Sequence, residues 1–155
     1  MTRVRVIVLG SQHAGDDCAA LLVADRLRDR AEVIAAGRPG PGLLELLRAD
    51  TPTVLLDVTQ SSAPPGQLVA LPLEQLADAT LALPQVSSHG FGPSETLELG
   101  RALGRALPPG RFIGIEGADF TIGAGLSPAV AAALDDYTRA AITAIEELSP
   151  CTKPA

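Results

Sequence analysis

The chain has 155 residues and a formal net charge of −6, with 46% apolar and only 3% aromatic residues. That length fits one compact domain with a core of Leu, Val, Ile and Ala. The acidic balance (pI about 4.8) excludes nucleic-acid binding by bulk charge, which needs a basic surface to neutralise phosphates.

Residues 3–9 carry Val4, Val6, Ile7, Val8 and Leu9, a nearly continuous apolar run expected of a strand buried on both faces. The run is too short for the apolar region of a signal peptide. No stretch approaches the roughly 18 unbroken apolar residues of a membrane span. Residues 10–15 read as a loop. From 16 to about 28 the pattern is helical, with Leu21, Leu22, Ala24 and Leu27 on one face. Residues 32–36 form a second strand, and the GRPGPG of 37–42 a loop, since Pro and Gly interrupt ladders and helices. A short helix at 43–48 precedes a third strand, TVLL at 53–56, which ends at Asp57.

After the turn-rich SSAPPG, residues 67–71 read as a strand that follows the third too closely for a helical crossover, and so is antiparallel. Residues 73–79 are a short helical piece and 81–84 give no clear pattern. A helix over 92–107 buries Leu97, Leu99, Ala102, Leu103 and Leu107, and Pro108, Pro109 and Gly110 stop it. A fifth strand spans 111–115. The three glycines of 117–125 make a loop. Ser127 is placed as N-cap and Pro128 as first residue of a last helix running to about 148. Strands alternating with helices predict a three-layer α/β domain over 1–148, with a mostly parallel sheet of about five strands, one of them antiparallel. Residues 149–155 are expected to be a loose tail. The two cysteines, Cys18 and Cys151, form no CxxC pair, so a reduced, cytoplasmic protein is expected. A monomer without a membrane partner fits this composition.

The chemistry-bearing residues begin with adjacent Asp16 and Asp17, at the start of the first helix. One aspartate there is explained by N-capping and the helix dipole, worth about 0.3–1 kcal/mol. A second adjacent carboxylate adds repulsion. Asp57 closes an apolar strand, and in parallel α/β sheets functional groups collect beyond the carboxyl ends of strands. The loop carrying Asp17 also follows a strand, so the two can face one crevice. His89, in SSHGFG, precedes a helix; like His13, a lone histidine in a loop is more often a surface or hydrogen-bonding residue. If Asp17, Asp57 and His89 converge, two carboxylates and an imidazole suit a divalent transition metal with open positions, not a closed structural zinc site.

Other chemistries fit less well. VLGSQH lacks the GxGxxG of dinucleotide binding, and an acidic helix start opposes a pyrophosphate. No GxSxG nucleophile elbow is present. Cys18 lies beside two carboxylates that disfavour its thiolate.

Four segments in order resemble the hydrogenase maturation proteases, over nearly the whole chain from Val6 to about Glu147. They are GSQHAGDDC at 10–18, LLDVTQSSAPPGQL from Leu55, SSHGFGPSETLELGRALG from Ser87, and GIEGADFTIGAGLSPAVAAAL from Gly114. The resemblance implies a twisted α/β/α sandwich and an endopeptidase that removes a C-terminal extension from the large-subunit precursor of a nickel–iron hydrogenase. It implies that Asp17, Asp57 and His89 form a metal-recognising catalytic site. The nickel is already inserted in the substrate, and no permanently bound cofactor is expected. Asp16 then takes the N-cap role and Asp17 the site role.

Two positions depart from the family pattern: Ser11 stands where Asn is usual, and Cys18 where Gly is usual. They motivate a second reading, a non-cleaving assembly factor of the same fold. A small nucleotide- or phosphate-binding α/β protein is a third. The loops 37–42 and 117–125 are candidates to frame the crevice and receive the substrate tail, although their glycines serve tight turns equally well.

Overall fold

The computed structural model describes residues 3–78 and 92–149. His89, the stretch 81–84 and Cys151 lie outside them. Five strands make one sheet: β1 (Arg5–Leu9), β2 (Glu32–Gly37), β3 (Thr53–Thr59), β4 (Leu68–Pro72) and β5 (Gly110–Glu116). Their spatial order is β2-β1-β3-β5-β4. All neighbours are parallel except β4 with β5. The antiparallel strand is therefore where the short connection placed it, and its Pro72 sits at the end of an edge strand, where a missing N–H costs no ladder bond.

The helices α1 (Ala19–Asp25), α2 (Leu73–Asp78), α3 (Pro93–Ala102) and α4 (Pro128–Leu148) cover both faces. Val6 and Val8 of β1 join Val54, Leu56 and Val58 of β3 in a core shared with α1 and α4. Ile7, Leu9 and Leu55 point the other way, into a core with Leu43, Leu73, Leu76 and Leu97. Alternation on doubly buried strands gives the expected continuous apolar runs. Among the described residues no helix is long and apolar enough to cross a membrane.

Several boundaries differ from expectation for identifiable reasons. β3 does not stop at Asp57. It continues to Thr59 because β5 pairs with it along its whole length, Asp57 opposite Gly114. The pairing of β1 with β3 does stop at Leu56, so Asp57 is the first residue beyond it. The helix expected over 92–107 ends at Ala102. Gly104 adopts φ 78°, its N–H bonds the Arg101 carbonyl (3.0 Å) and the Arg105 N–H bonds the Gly100 carbonyl (2.9 Å), a Schellman cap. Leu103 therefore stays 62% exposed instead of entering the core. The helix expected at 43–48 is a 3-10 turn over Gly40–Glu45. The first helix begins as a 3-10 turn, Gly15–Cys18, and becomes α-helical only from Ala19.

Candidate functional site

The chain leaves β1, turns back through α1 to β2 on one side, and then places β3 on the other side of β1. β1 and β3 thus flank the point where the winding reverses, the usual ligand position in such sheets. The 3-10 turn carrying Asp16 and Asp17 follows β1, and Asp57 lies just past the β1–β3 pairing.

A 3-10 turn rotates about 120° per residue, so the adjacent aspartates point in different directions. Asp16 is fully buried. Its Oδ2 accepts the N–H groups of Ala118 (2.7 Å) and Asp119 (2.9 Å) and the Ser127 hydroxyl (2.8 Å), and its Oδ1 accepts the Ser127 N–H (2.7 Å). Burial pushes this carboxyl up, but hydrogen bonds from Asp119, Ser127 and Ala118 outweigh it and hold the pKa below the ordinary value. The N-cap role expected of Asp16 is not what it does. Ala14 and Cys18 occupy the cap positions of the two helical turns, and neither uses its side chain. Asp16 instead ties down the loop between β5 and α4. Ser127 does occupy the N-cap position of α4, but its hydroxyl goes to Asp16, not back to its own helix.

Asp17 is 6% exposed. The Ser11 main-chain N–H (2.7 Å) and the Arg38 Nη2 (3.0 Å) both donate to its Oδ2. Because Ser11 contributes its backbone, replacing the family's usual Asn leaves this contact intact. Gly10 must be glycine here: its φ is 121°, and a Cβ would collide with the Asp17 carbonyl. Asp57 is partly buried, and its Oδ1 accepts its own neighbour's Val58 N–H at 2.8 Å. Burial pushes its pKa up to about 7. The Val58 N–H opposes the rise, the charge of Asp17 adds to it, and Arg38 partly offsets it. Asp17 and Arg38, paired at 3.0 Å, thus lie within reach of the charge on Asp57. Among the described residues, Asp17 Oδ1 and Asp57 Oδ2 accept no hydrogen bond.

The structure thus places Asp17 and Asp57 at the same end of adjacent strands, within reach of each other's charge, and turns Asp16 toward the 117–127 loop. No group of three metal-competent side chains occurs among the described residues; the third member of the expected set, His89, lies outside them. His13 is exposed, with its ring beside the Gln12 amide. Cys18 is a free thiol. Burial raises its pKa, and Asp16 and Asp17 raise it further, so like charge contributes as expected but is not the largest cause.

Three contributors escaped the sequence reading. Arg38 comes from the GRPGPG loop, just past β2, where the Gly10 N–H bonds the Gly37 carbonyl (2.9 Å) and holds the ends of β1 and β2 together. The signal available was a lone cation between glycines after a strand. Glu116 is 2% exposed and accepts the Thr59 hydroxyl (3.0 Å), the Ser61 hydroxyl (2.6 Å) and the Ser61 N–H (2.7 Å), fixing the chain as it leaves β3. The Tyr137 hydroxyl, fully buried, lies 3.0 Å from the Asp57 carbonyl and 3.1 Å from that of Ile113. Burial first, and then the charge of Asp57, push its pKa well above the usual phenol value. α4 thereby props the strand segment that carries Asp57.

The family model described as hydrogenase maturation protease matches residues 18–144. No curated protein sequence matches the chain. Among solved structures, the chain is similar to the hydrogenase maturating endopeptidase HybD from E. coli, with a TM-score of 0.79 and 21% identity over 94% of this chain and 93% of that one. It is similar to the NiFe hydrogenase maturation protease HybD from Thermococcus kodakarensis, with a TM-score of 0.73 and 26% identity over 92% and 98%. The NiFe hydrogenase maturation protease HycI from Thermococcus kodakarensis gives 0.63 and 15% over 94% and 93%.

Proposed function

Because the chain belongs to the hydrogenase maturation protease family, we propose that it removes the C-terminal extension of a nickel–iron hydrogenase large-subunit precursor after nickel has been inserted. Membership makes it an endopeptidase, a hydrolase of peptide bonds. The substrate and the use of nickel are the proposed part. The observation that carries the reading is the Asp17–Asp57 pair at the sheet's switch point, with one oxygen of each accepting no hydrogen bond among the described residues.

In this reading Asp17, Asp57 and His89 receive the nickel that the precursor carries, and no resident cofactor is needed. The assignment of His89 rests on the sequence resemblance. Two carboxylates and one imidazole leave coordination positions for the substrate's own ligands. The nickel is substrate cargo; next to the scissile bond it would polarise the carbonyl or acidify an attacking water. Asp57, with a pKa pushed up to about 7, is suited to hold or release a proton near neutral pH. Asp17, pinned by a backbone N–H, is the fixed partner of the pair. We place the reaction in the cytoplasm, between one monomer of this chain and the precursor.

Intact-mass measurement of the precursor tests the reading. Nickel-loaded precursor is incubated with the wild-type chain, Asp17→Asn, Asp57→Asn or His89→Ala, and nickel-free precursor with the wild type. Loss of a C-terminal peptide is expected only with the wild type and nickel. Cutting of the nickel-free precursor would remove the metal requirement. Normal cutting by one variant would remove that residue from the site. A stable complex with an unchanged mass would leave an assembly factor in place of a protease.

A further inference from the structure

We propose that Arg38 is a specificity-determining residue that guards the Asp17–Asp57 pair against free divalent cations, so that the pair responds to a metal already held by a protein partner. This rests on the reading of that pair as the nickel-docking site. Three observations carry it. The Arg38 guanidinium sits on Asp17 Oδ2 at 3.0 Å, on one of the two carboxylates that a cation would need. Its positive charge also reaches Asp57. Its side chain is 58% exposed, whereas the Asp17 carboxylate is 9% exposed, so the cation can leave while the carboxylate cannot.

The backbone beneath Arg38 is fixed. The Gly37 carbonyl accepts the Gly10 N–H (2.9 Å), and the Pro39 carbonyl accepts the Gly42 N–H (3.1 Å). The guard is therefore a swinging side chain on a rigid mount. Of the two groups holding Asp17 Oδ2, the Ser11 N–H belongs to the main chain, and only Arg38 is removable.

The two forms of metal meet this charge differently. A free hydrated dication arrives with its full charge, is repelled by the guanidinium and has nothing to offer it in exchange. A metal ion held in a protein arrives with protein donors, anionic where they are thiolates or carboxylates. Its net charge is lower, and those donors give the displaced guanidinium a new partner. The repulsion thus selects against the free ion.

The test is calorimetric titration of the full chain with Ni²⁺ alone, at one fixed pH and about physiological salt. Arg38→Gln removes the charge and keeps a polar side chain, Arg38→Lys keeps the charge, and the double variant Asp17→Asn/Arg38→Gln removes the docking carboxylate as well. Loss of one unit charge, itself mostly exposed and so screened by solvent, is expected to tighten binding by a factor of about three to ten. Arg38→Lys is expected to stay close to the wild type, and the double variant to lose the gain. An Arg38→Gln affinity within a factor of about two of the wild type overturns the proposal, as does no measurable binding by that variant or a gain that survives in the double variant. Precursor cutting by the wild-type chain is followed in parallel. If cutting fails while the Arg38→Gln gain depends on Asp17, the substrate assignment falls and the guard stands. If cutting succeeds while the affinities are equal, the guard falls alone.

Discussion

Replacing Asp16 by Asn keeps the shape of the side chain and removes its charge, and the structure says what that costs. With its amide oxygen in the place of Oδ2, Asn retains the bonds from the Ala118 and Asp119 N–H groups and the Ser127 hydroxyl. Its NH₂ group then faces the Ser127 N–H, which now donates to Oδ1, and two donors meet in a site with no solvent exposure. An unsatisfied buried N–H costs about 1–3 kcal/mol, and three bonds weaken from charge-assisted to neutral. Because these losses fall in one cluster they do not add in full, and the expected total is about 2–4 kcal/mol. Urea unfolding at pH 7 should show a lower midpoint at an unchanged slope. The pH dependence gives a second readout. The folded pKa of Asp16 lies below its ordinary 3.8, so its stabilisation is present above about pH 4 and is lost as pH falls through the depressed value. The gap between wild type and variant should therefore close in that acid window. A loss under about 1 kcal/mol at neutral pH, or a gap that stays constant into acid, would refute Asp16 as the anchor of the 117–127 loop.

Asp57 titrates with the opposite sign. Its folded value of about 7 lies above the ordinary 3.8, so the folded state binds the extra proton, and stability falls as pH rises from about 4 to about 7. Asp57→Asn should lack that fall and gain roughly 2 kcal/mol on the wild type between pH 5 and pH 8, partial exposure holding this below the full shift; parallel urea-stability profiles would contradict the assignment. Tyr137→Phe removes one buried hydroxyl bond beneath Asp57 and should cost about 1 kcal/mol, a melting shift of roughly 2–4 °C by calorimetry. Gly15→Ala places a Cβ against the Asp119 carbonyl at a φ of 56° and should cost more than about 2 kcal/mol, read as a lower urea midpoint.

The sequence revealed most where local rules and burial agree. β1, β3 and β5 were visible because strands buried on both faces carry apolar residues without alternation. α4 began at Pro128, as Ser127–Pro128 indicated, because Pro's fixed φ suits a first helical turn. Legibility failed where a distant partner decides. Leu103 sits four residues after Leu99, as a helix face requires, yet Gly104 ends the helix and exposes it. Asp57 interrupts an apolar run and so read as a strand's end; pairing with β5, more than fifty residues away, carries the strand past it. Asp16 looked like a cap because its partners lie 102 to 111 residues further along the chain. Arg38 is marked locally as a lone cation in a Gly- and Pro-rich loop, but nothing nearby in the sequence names Asp17 as its partner. Pairwise tertiary contacts of this kind leave no period and no spacing in a single sequence.

The three acidic side chains around the end of β1 are satisfied by three different means, and the difference shows where a cation would meet the least competition from protein donors. Asp16 takes three backbone N–H groups and a hydroxyl, an anion site made by the protein for its own carboxylate, and its pKa is depressed accordingly. Asp17 takes one backbone N–H and one exposed guanidinium. Among the described residues Asp57 takes just its neighbour's N–H, and burial, with the charge of a second carboxylate, pushes its pKa toward neutrality. The donor supply therefore declines from Asp16 to Asp57 while the charge repulsion is left between Asp17 and Asp57. A divalent ion between those two would cancel the repulsion and use the two open oxygens; at Asp16 it would find no oxygen free of a donor. Adjacent residues in one 3-10 turn thus have separate partners, Asp16 the 117–127 loop and Asp17 the Ser11 N–H and Arg38. The 120° rotation of that turn makes the division possible.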